Sequence, residues 1–158
     1  MSRVLDRLTG AFGPEIVATH SDFGDDTASV RPGRIVEILA FLRDDPEALF
    51  DFAMDLTGVD HLGEEPRFEV VYHLYSLEKK HRVRIKVRLP EDDPTIDTAV
   101  SVWPGIDWYE REAFDMYGIV FRGHPNLKRI LMYEGFQGHP LRKDYPKDRR
   151  QPTIGPEE

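Results

Sequence analysis

Residues 68–89 read FEVVYHLYSLEKKHRVRIKVRL, and they decide the fold class. In the second half Val83, Ile85, Val87 and Leu89 alternate with Arg82, Arg84, Lys86 and Arg88. Strict period two puts one set of side chains on a buried sheet face and the other in water. Phe68–Leu77 is a second strand-like run, and Ser76–His81 joins the two as an antiparallel hairpin. Val83, Ile85 and Val87 should face helices and Arg84 and Lys86 should not, because a slip of one residue exchanges the faces.

Outward from the hairpin, the pattern alternates between helix and strand. On the N-terminal side, residues 2–12 predict a helix with Val4, Leu5, Leu8, Ala11 and Phe12 on one side, ended by Gly13-Pro14. Glu15–His20 and Ala28–Arg31 predict short strands around the turn SDFGDD. Arg34–Arg43 is a second helix facing Ile35, Ile38, Leu39 and Leu42 to the core. A third is expected from Asp45, a natural N-cap before Pro46, with Leu49, Phe52, Ala53 and Leu56 as its stripe and Gly58 as its stop. On the C-terminal side, Pro90–Pro94 is an acidic loop and Ile96–Val102 a further strand. Pro104 and Gly118 bracket another helix, with Ile106, Tyr109, Ala113, Met116 and Tyr117 on one face. The class is α+β: two layers, a mixed sheet of roughly five strands covered by helices.

From Trp103 to Pro146 the chain is dense in aromatics, Gly, Pro and charge, with two His-Pro pairs, His124-Pro125 and His139-Pro140. A segment this long is functional or disordered, and its aromatic content opposes disorder. Arg111 has Asp107 and Asp115 four residues to either side, a possible charge ladder. Glu110 falls among Ile106, Ala113, Phe114 and Tyr117, so if buried it needs a partner. Arg129 and Arg142 are the expected cations. Residues 1–121 carry 13 Lys and Arg against 24 Asp and Glu, whereas residues 122–150 carry 8 against 3. That asymmetry suggests a basic arm meeting an anionic surface, against the plainer reading of solvated charge on a tail; the expected division is a globular domain, 1–132, and an extended basic docking arm and tail, 133–158. The arm, Gly135 to Arg150, is expected to leave the domain and lie on a partner. Phe136, Leu141 and Tyr145 would anchor it and Arg142 would pair with a carboxylate. Truncation after Met132 should then leave a folded domain.

Several chemistries fit poorly. The chain has no cysteine, which removes disulfides, thiolate zinc sites and cysteine-ligated Fe–S clusters. His124, His139, Glu110, Glu112 and Asp144 are potential metal ligands, but no HxH, HExxH or ExxH spacing occurs and both histidines precede proline. Glu110 and Glu112 point about 200° apart on a helix, so they cannot flank one substrate; Glu110 with a histidine stays open as an acid–base pair. Neither GxGxxG nor GxxxxGK[ST] is present, so nothing builds a flavin or NAD site. Four cations on one hairpin face suggest nucleic acid, but the acidic domain opposes it and Glu69 lies across the sheet. MSRVLDRLTGAFG lacks the apolar run of a secretory signal, and no stretch approaches a membrane span. What fits is protein docking, because Trp, Tyr and Arg dominate interface hot spots.

EREAFDMYGIVFRGHPNLKRILM followed by GFQGHPLRKDYP closely resembles the signature of the C subunit, the 30-kDa subunit family, of proton-translocating NADH:quinone oxidoreductase, respiratory complex I. DLTGVD at 55–60, RFEVVYHLYSL and VSVWPGIDWYEREAFDMYGI are similar to the family in the same order, so the likeness spans about residues 30–147. The resemblance implies a non-catalytic structural subunit of the peripheral arm, on the cytoplasmic side of the inner membrane. It implies no cofactor in this chain, with FMN and Fe–S clusters in partner subunits. It also implies docking on the large subunit that helps form the quinone cavity. The signature and docking residues are Glu110, Arg111, Glu112, His124, Pro125, Arg129, His139, Pro140, Arg142, Lys143, Asp144 and Tyr145. Related subunits occur in F420H2-, ferredoxin-, plastoquinone- and hydrogenase-linked complexes, so the donor is less defined than the subunit type. The competing reading is a free-standing enzyme using Glu110, His124 and His139.

Overall fold

Strands β4 (Phe68–Tyr75) and β5 (Arg82–Leu89) pair antiparallel, with Val70 opposite Val87 and Tyr72 opposite Ile85. The computed structural model describes residues 3–152. Val83, Ile85, Val87 and Leu89 are buried while Arg84 and Lys86 are only half-covered, so the register is as expected. On the outer face Lys86 Nζ lies 3.4 Å from a carboxylate oxygen of Glu69, whose side chain is nearly buried. Long cationic stems cover that face while their heads stay wet.

β1 (Ile16–Asp22) and β2 (Asp25–Val30) form a second hairpin. Its turn is Phe23-Gly24, both at positive φ (56° and 85°), as a tight hairpin turn demands. β2 runs parallel to β5, and β3 (Phe52–Asp60) pairs antiparallel with β4. The order β1-β2-β5-β4-β3 makes a mixed five-stranded sheet. Helices α1 (Arg3–Phe12), α2 (Ile35–Asp44) and α3 (Asp107–Tyr117) share one apolar core with it. β6 (Thr95–Asp97) and β7 (Val120–Arg122) form a small parallel pair flanking α3.

Two expectations fail. The helix from Asp45 to Gly58 is a single turn and then strand β3. Asp45 does cap, accepting the amides of Glu47 and Ala48 at 3.0 and 3.1 Å, but Leu49 turns to positive φ and ends the turn. The apolar spacing of residues 49–58 also suits an edge strand. The ladder to β4 decides between the two, as tertiary pairing commonly overrides local propensity. Likewise only Thr95–Asp97 of the strand expected over Ile96–Val102 forms. The chain turns at Thr98 and Ala99, whose donors are taken by a carboxylate of α3. Ile106, in the turn that leads into α3, and Ala113 and Met116 on the helix are buried as expected, but Tyr109 is exposed and Glu110 and Asp115 are buried.

Candidate functional site

Glu110 has no exposed surface. Thr98 Oγ1 lies 2.5 Å from Oε2 and the Ala99 amide donates to Oε1 at 2.7 Å. Neither Arg129 nor Arg142 reaches it, so the expected ion pair is replaced by a hydroxyl and an amide. These need less room than a guanidinium in a loop that folds directly over the helix. The only cationisable neighbour at ion-pair distance among the described residues is His124, with Nε2 3.8 Å from Oε2. His124 Nδ1 accepts the Asn126 amide at 3.0 Å, and Nε2 lies 3.3 Å from the Asp107 carbonyl oxygen and 3.2 Å from its carboxylate. Burial therefore pushes the Glu110 carboxyl up, to about 7, against the lowering effect of its two hydrogen bonds.

That shift has a sign. The folded state holds the Glu110 proton over a range where the unfolded chain has released it, so the unfolded state binds fewer protons between about pH 4.5 and 7. Stability must fall as pH rises through that window, by on the order of 3 kcal/mol in all. Glu110→Gln keeps an acceptor for Ala99 and a donor for Thr98. We expect it to lose this slope and to exceed the native chain in stability at pH 8. Urea denaturation at pH 5 and 8 measures it, and a native-to-variant difference independent of pH would refute the assignment.

The second half of the signature gathers at the C-terminal end of α3. A helix leaves its last carbonyls without intrahelical donors. Here the His-Pro-Leu-Arg run supplies them. His139 Nδ1 lies 3.0 Å from Asp115 O, the Leu141 amide donates to Met116 O at 3.1 Å, and Arg142 Nε donates to Tyr117 O at 2.7 Å. A cation there also complements the negative end of the helix dipole. Residues 139–144 thus return to the domain rather than leave it. The segment remains irregular because it follows the helix end and not a ladder of its own.

Gly118 makes this approach possible. Its φ is +77°, and a Cβ would sit 2.7 Å from both Arg142 Nη2 and His139 Nε2. Gly118→Ala should cost about 1–3 kcal/mol from backbone strain, plus the displaced cap. Gly123→Ala has similar strain (φ +81°), but its Cβ would only touch Thr98 Cγ2 at 3.6 Å. Thermal unfolding of both variants tests the cap: equal losses would mean it is not disturbed.

Asp115, which its spacing allows to pair with Arg111, instead holds the following segment. Its Oδ2 accepts the amides of Ile130, Leu131 and Met132 at 3.0, 2.8 and 2.9 Å, and Oδ1 lies 3.1 Å from Arg129 Nη1. Arg111 donates to the carbonyls of Lys128 and Arg129. Beyond Met132 the segment packs on itself, with Tyr133 edge-on to Phe136, Phe136 stacked on Tyr145 and Arg129 over Phe136.

A third cluster has no local sequence signal. Arg67, just before β4, is 2 % exposed. It donates to Asp60 at 2.8 and 2.9 Å, to Asp144 at 2.9 and 3.1 Å, and to Glu91 at 2.7 Å. Asp60 also accepts the Lys143 amide at 2.8 Å. Asp144 of the signature therefore pairs inside the chain. Both Asp60 and Arg67 lie within stretches similar to the family, in DLTGVD and RFEVVYHLYSL, but nothing in those stretches marks them as partners. The exposed members, Glu112, Pro125 and Lys143, make no side-chain hydrogen bond or ion pair among the described residues. Pro140 is half-buried between His139 and Leu141. No group of three or more His, Asp or Glu among the described residues is arranged to hold a metal ion.

Residues 28–151 match the family described as respiratory-chain NADH dehydrogenase, 30 Kd subunit. The chain belongs to that family. It is 52 % identical over 143 residues to the C subunit of NADH-quinone oxidoreductase from Roseiflexus sp. (strain RS-1), covering 90 % of this chain and 82 % of that protein. It is 50 % identical over 152 residues to the C 2 subunit of NADH-quinone oxidoreductase from Rhizobium meliloti (strain 1021), covering 94 % and 83 %. Among solved structures, the trypsin-resistant fragment 1–134 of Nqo5 superposes with a TM-score of 0.68 at 32 % identity, covering 79 % of this chain and 97 % of the fragment. A chain of the membrane-bound sulfane sulfur reductase, an archaeal respiratory membrane complex, superposes with a TM-score of 0.78, covering 91 % and 84 %. At 21 % identity that likeness shows the fold alone. The 30-kDa-type chain thus carries the family's fold, and no helix among its described residues is long and apolar enough to cross a membrane.

Proposed function

We propose that this chain is a non-catalytic structural subunit of the peripheral arm of NADH:quinone oxidoreductase. In this reading it lies on the cytoplasmic side of the membrane and docks on the large subunit beside the quinone site. It supports electron transfer from NADH to quinone, coupled to proton translocation, with FMN and Fe–S clusters held by its partners. One observation carries the docking. Lys128, Arg142, Lys143, Lys147, Arg149 and Arg150 form no ion pair among the described residues, whereas most cations of the sheet and the first two helices do. An unneutralised basic surface on an otherwise acidic chain suits an acidic partner face. The signature residues themselves mostly serve internal hydrogen bonds, so their role in docking is to hold that surface in shape. Identity to NADH-linked subunits favours NADH as the donor, while the shared fold of the sulfane sulfur reductase chain leaves an equivalent subunit of a related complex as the second reading.

Affinity purification of the tagged full chain from detergent-solubilised membranes tests this. NADH:quinone reductase activity, flavin and Fe–S absorbance should co-purify with it, and the chain expressed alone should be colourless and inactive. A chain that comes away alone with its own activity would return the enzyme reading based on Glu110, His124 and His139.

A further inference from the structure

His139, Arg142, Tyr145 and Arg149 line a surface cleft of about 210 Å³ at the end of α3. Arg142 is half-buried there, and only its Nε is engaged, by Tyr117 O. Its neighbour Arg67 is saturated by three carboxylates. The two guanidinium carbons lie 4.8 and 4.9 Å from the centroid of the Phe68 ring, so an unpaired cation and a paired one share that ring. Burial, and then Arg67, push Arg142 below the usual arginine value. Asp144 also lines the cleft, but both its oxygens are turned to Arg67. Arg149 lies 5.7 Å over the Tyr145 ring and has no carboxylate among the described residues either. His139 is pushed down by burial and is neutral at pH 7, its Nδ1 directed at Asp115 O.

We propose that this cleft receives a carboxylate side chain of a partner subunit, gripped by the free amino groups of Arg142 with Arg149 beside it. The inference rests on the docking proposed above and adds its chemistry. A planar guanidinium fork matches the two oxygens of a carboxylate. A phosphate would want further donors, and four of the nearby backbone amides are taken. Leu141 donates to Met116 O, Arg142 to His139 O, Lys143 to Asp60 and Tyr145 to Arg142 O. The consecutive amides of residues 141–143 are therefore not free to wrap a tetrahedral anion. Leu141, exposed beside the arginine, offers the apolar contact a protein partner would use.

The test uses the assembled complex. Arg142→Lys replaces the fork with an amine that a zero-length carbodiimide couples to any carboxylate in contact. The expected product is an amide bond from position 142 to an Asp or Glu of another subunit. Where the variant assembles, bonds only to Asp144 or Glu91 of the same chain, or none, overturn the proposal. Loss of assembly with an unchanged melting temperature of the free full chain supports it, because the amine keeps the charge and loses the fork. Arg149→Gln removes an exposed cation that carries no part of the core. It should weaken capture of the complex prepared from cells lacking this subunit about tenfold, the loss of one charge-assisted hydrogen bond. If the native chain is captured and Arg149→Gln and Arg142→Gln are captured equally well, the cleft is wrong and the docking stands. If the native chain is not captured, both fall. Inorganic phosphate titrated into the free full chain should not saturate below the millimolar range; micromolar binding would make the cleft a small-anion site and overturn the partner carboxylate.

Discussion

Replacing Arg67 with alanine should lower the unfolding free energy by about 3–5 kcal/mol, the usual cost of breaking a buried ion pair. The expectation rests on what the substitution leaves behind. Asp60 is as buried as Arg67, with side-chain exposures of 1 % and 2 %. Without the guanidinium it keeps only the Lys143 amide. Arg67→Lys restores charge but not the five-donor fork, so an intermediate loss is expected. Asp144→Asn acts on a carboxylate that is half exposed (50 %) and should cost about 1 kcal/mol or less. The pH dependence has the opposite sign to that of Glu110. Hydrogen bonding to Arg67 holds Asp60 and Asp144 below the ordinary Asp value. Their contribution is present above the unfolded pKa of about 3.8 and is lost as pH falls through the folded values. The Arg67→Ala variant should therefore lose less stability than the native chain on acidification below about pH 4. Urea midpoints at pH 7 and pH 3 give both quantities. A loss below about 1 kcal/mol at pH 7 would mean that water replaces the guanidinium around Asp60.

The three parts of the molecule are unequally legible in its sequence. The β4–β5 hairpin and α3 can be read because their determinants are local: strict alternation in one, Pro104 and Gly118 at the ends of the other. Residues 45–60 cannot. Asp45 and Pro46 are sound helix-start residues, and they do start a turn. The apolar spacing that follows fits two periods, and the choice is made by the edge of β4, which no short window contains. The site misleads for a related reason. Glu110 reads as a buried carboxylate, but its partners are a hydroxyl and an amide in the loop before the helix, chemistry that any Thr and any residue can supply. The His-Pro-Leu-Arg run reads as unlike a solvated tail, yet its Arg caps a carbonyl 25 residues upstream. Arg67 and Asp144 meet across 77 residues. Contacts at that separation follow from topology, not from periodicity. Basic composition marks residues 122–150 as an arm that leaves the domain, but the segment is folded against its own helix, with Lys128, Lys143, Lys147, Arg149 and Arg150 exposed.

Asp115→Ala should detach that segment. The carboxylate accepts three successive amides and a guanidinium, all from residues 129–132, and its side chain has no exposed surface. Alanine removes every acceptor at once. Breaking the buried pair with Arg129 alone costs about 3–5 kcal/mol in other proteins. Leu131 is exposed and Arg129, Ile130 and Met132 are half-buried, so water can reach the freed donors once the segment lifts. The loss should therefore sit near the lower end of that range and be local. Arg129 would also lose its hold on Gly138 O and on the Phe136 ring, and with it the packing of Phe136 on Tyr145. The consequence reaches the other end of the segment, because Gly138 and His139 begin the cap of α3. Truncation after Met132 would remove that cap outright and take Asp144 from Arg67, so it can no longer be expected to leave the fold untouched. Hydrogen exchange separates a local from a global effect. In Asp115→Ala the amides of Ile130, Leu131 and Met132 should exchange far faster than in the native chain, while those of β4 and β5 keep their protection relative to the new global stability. Asp115→Asn keeps one acceptor oxygen but turns an amino group toward the others, and should fall between the two. Unchanged protection at 130–132 in the alanine variant would show that the segment is held by its aromatic contacts, with the carboxylate only solvating its turn.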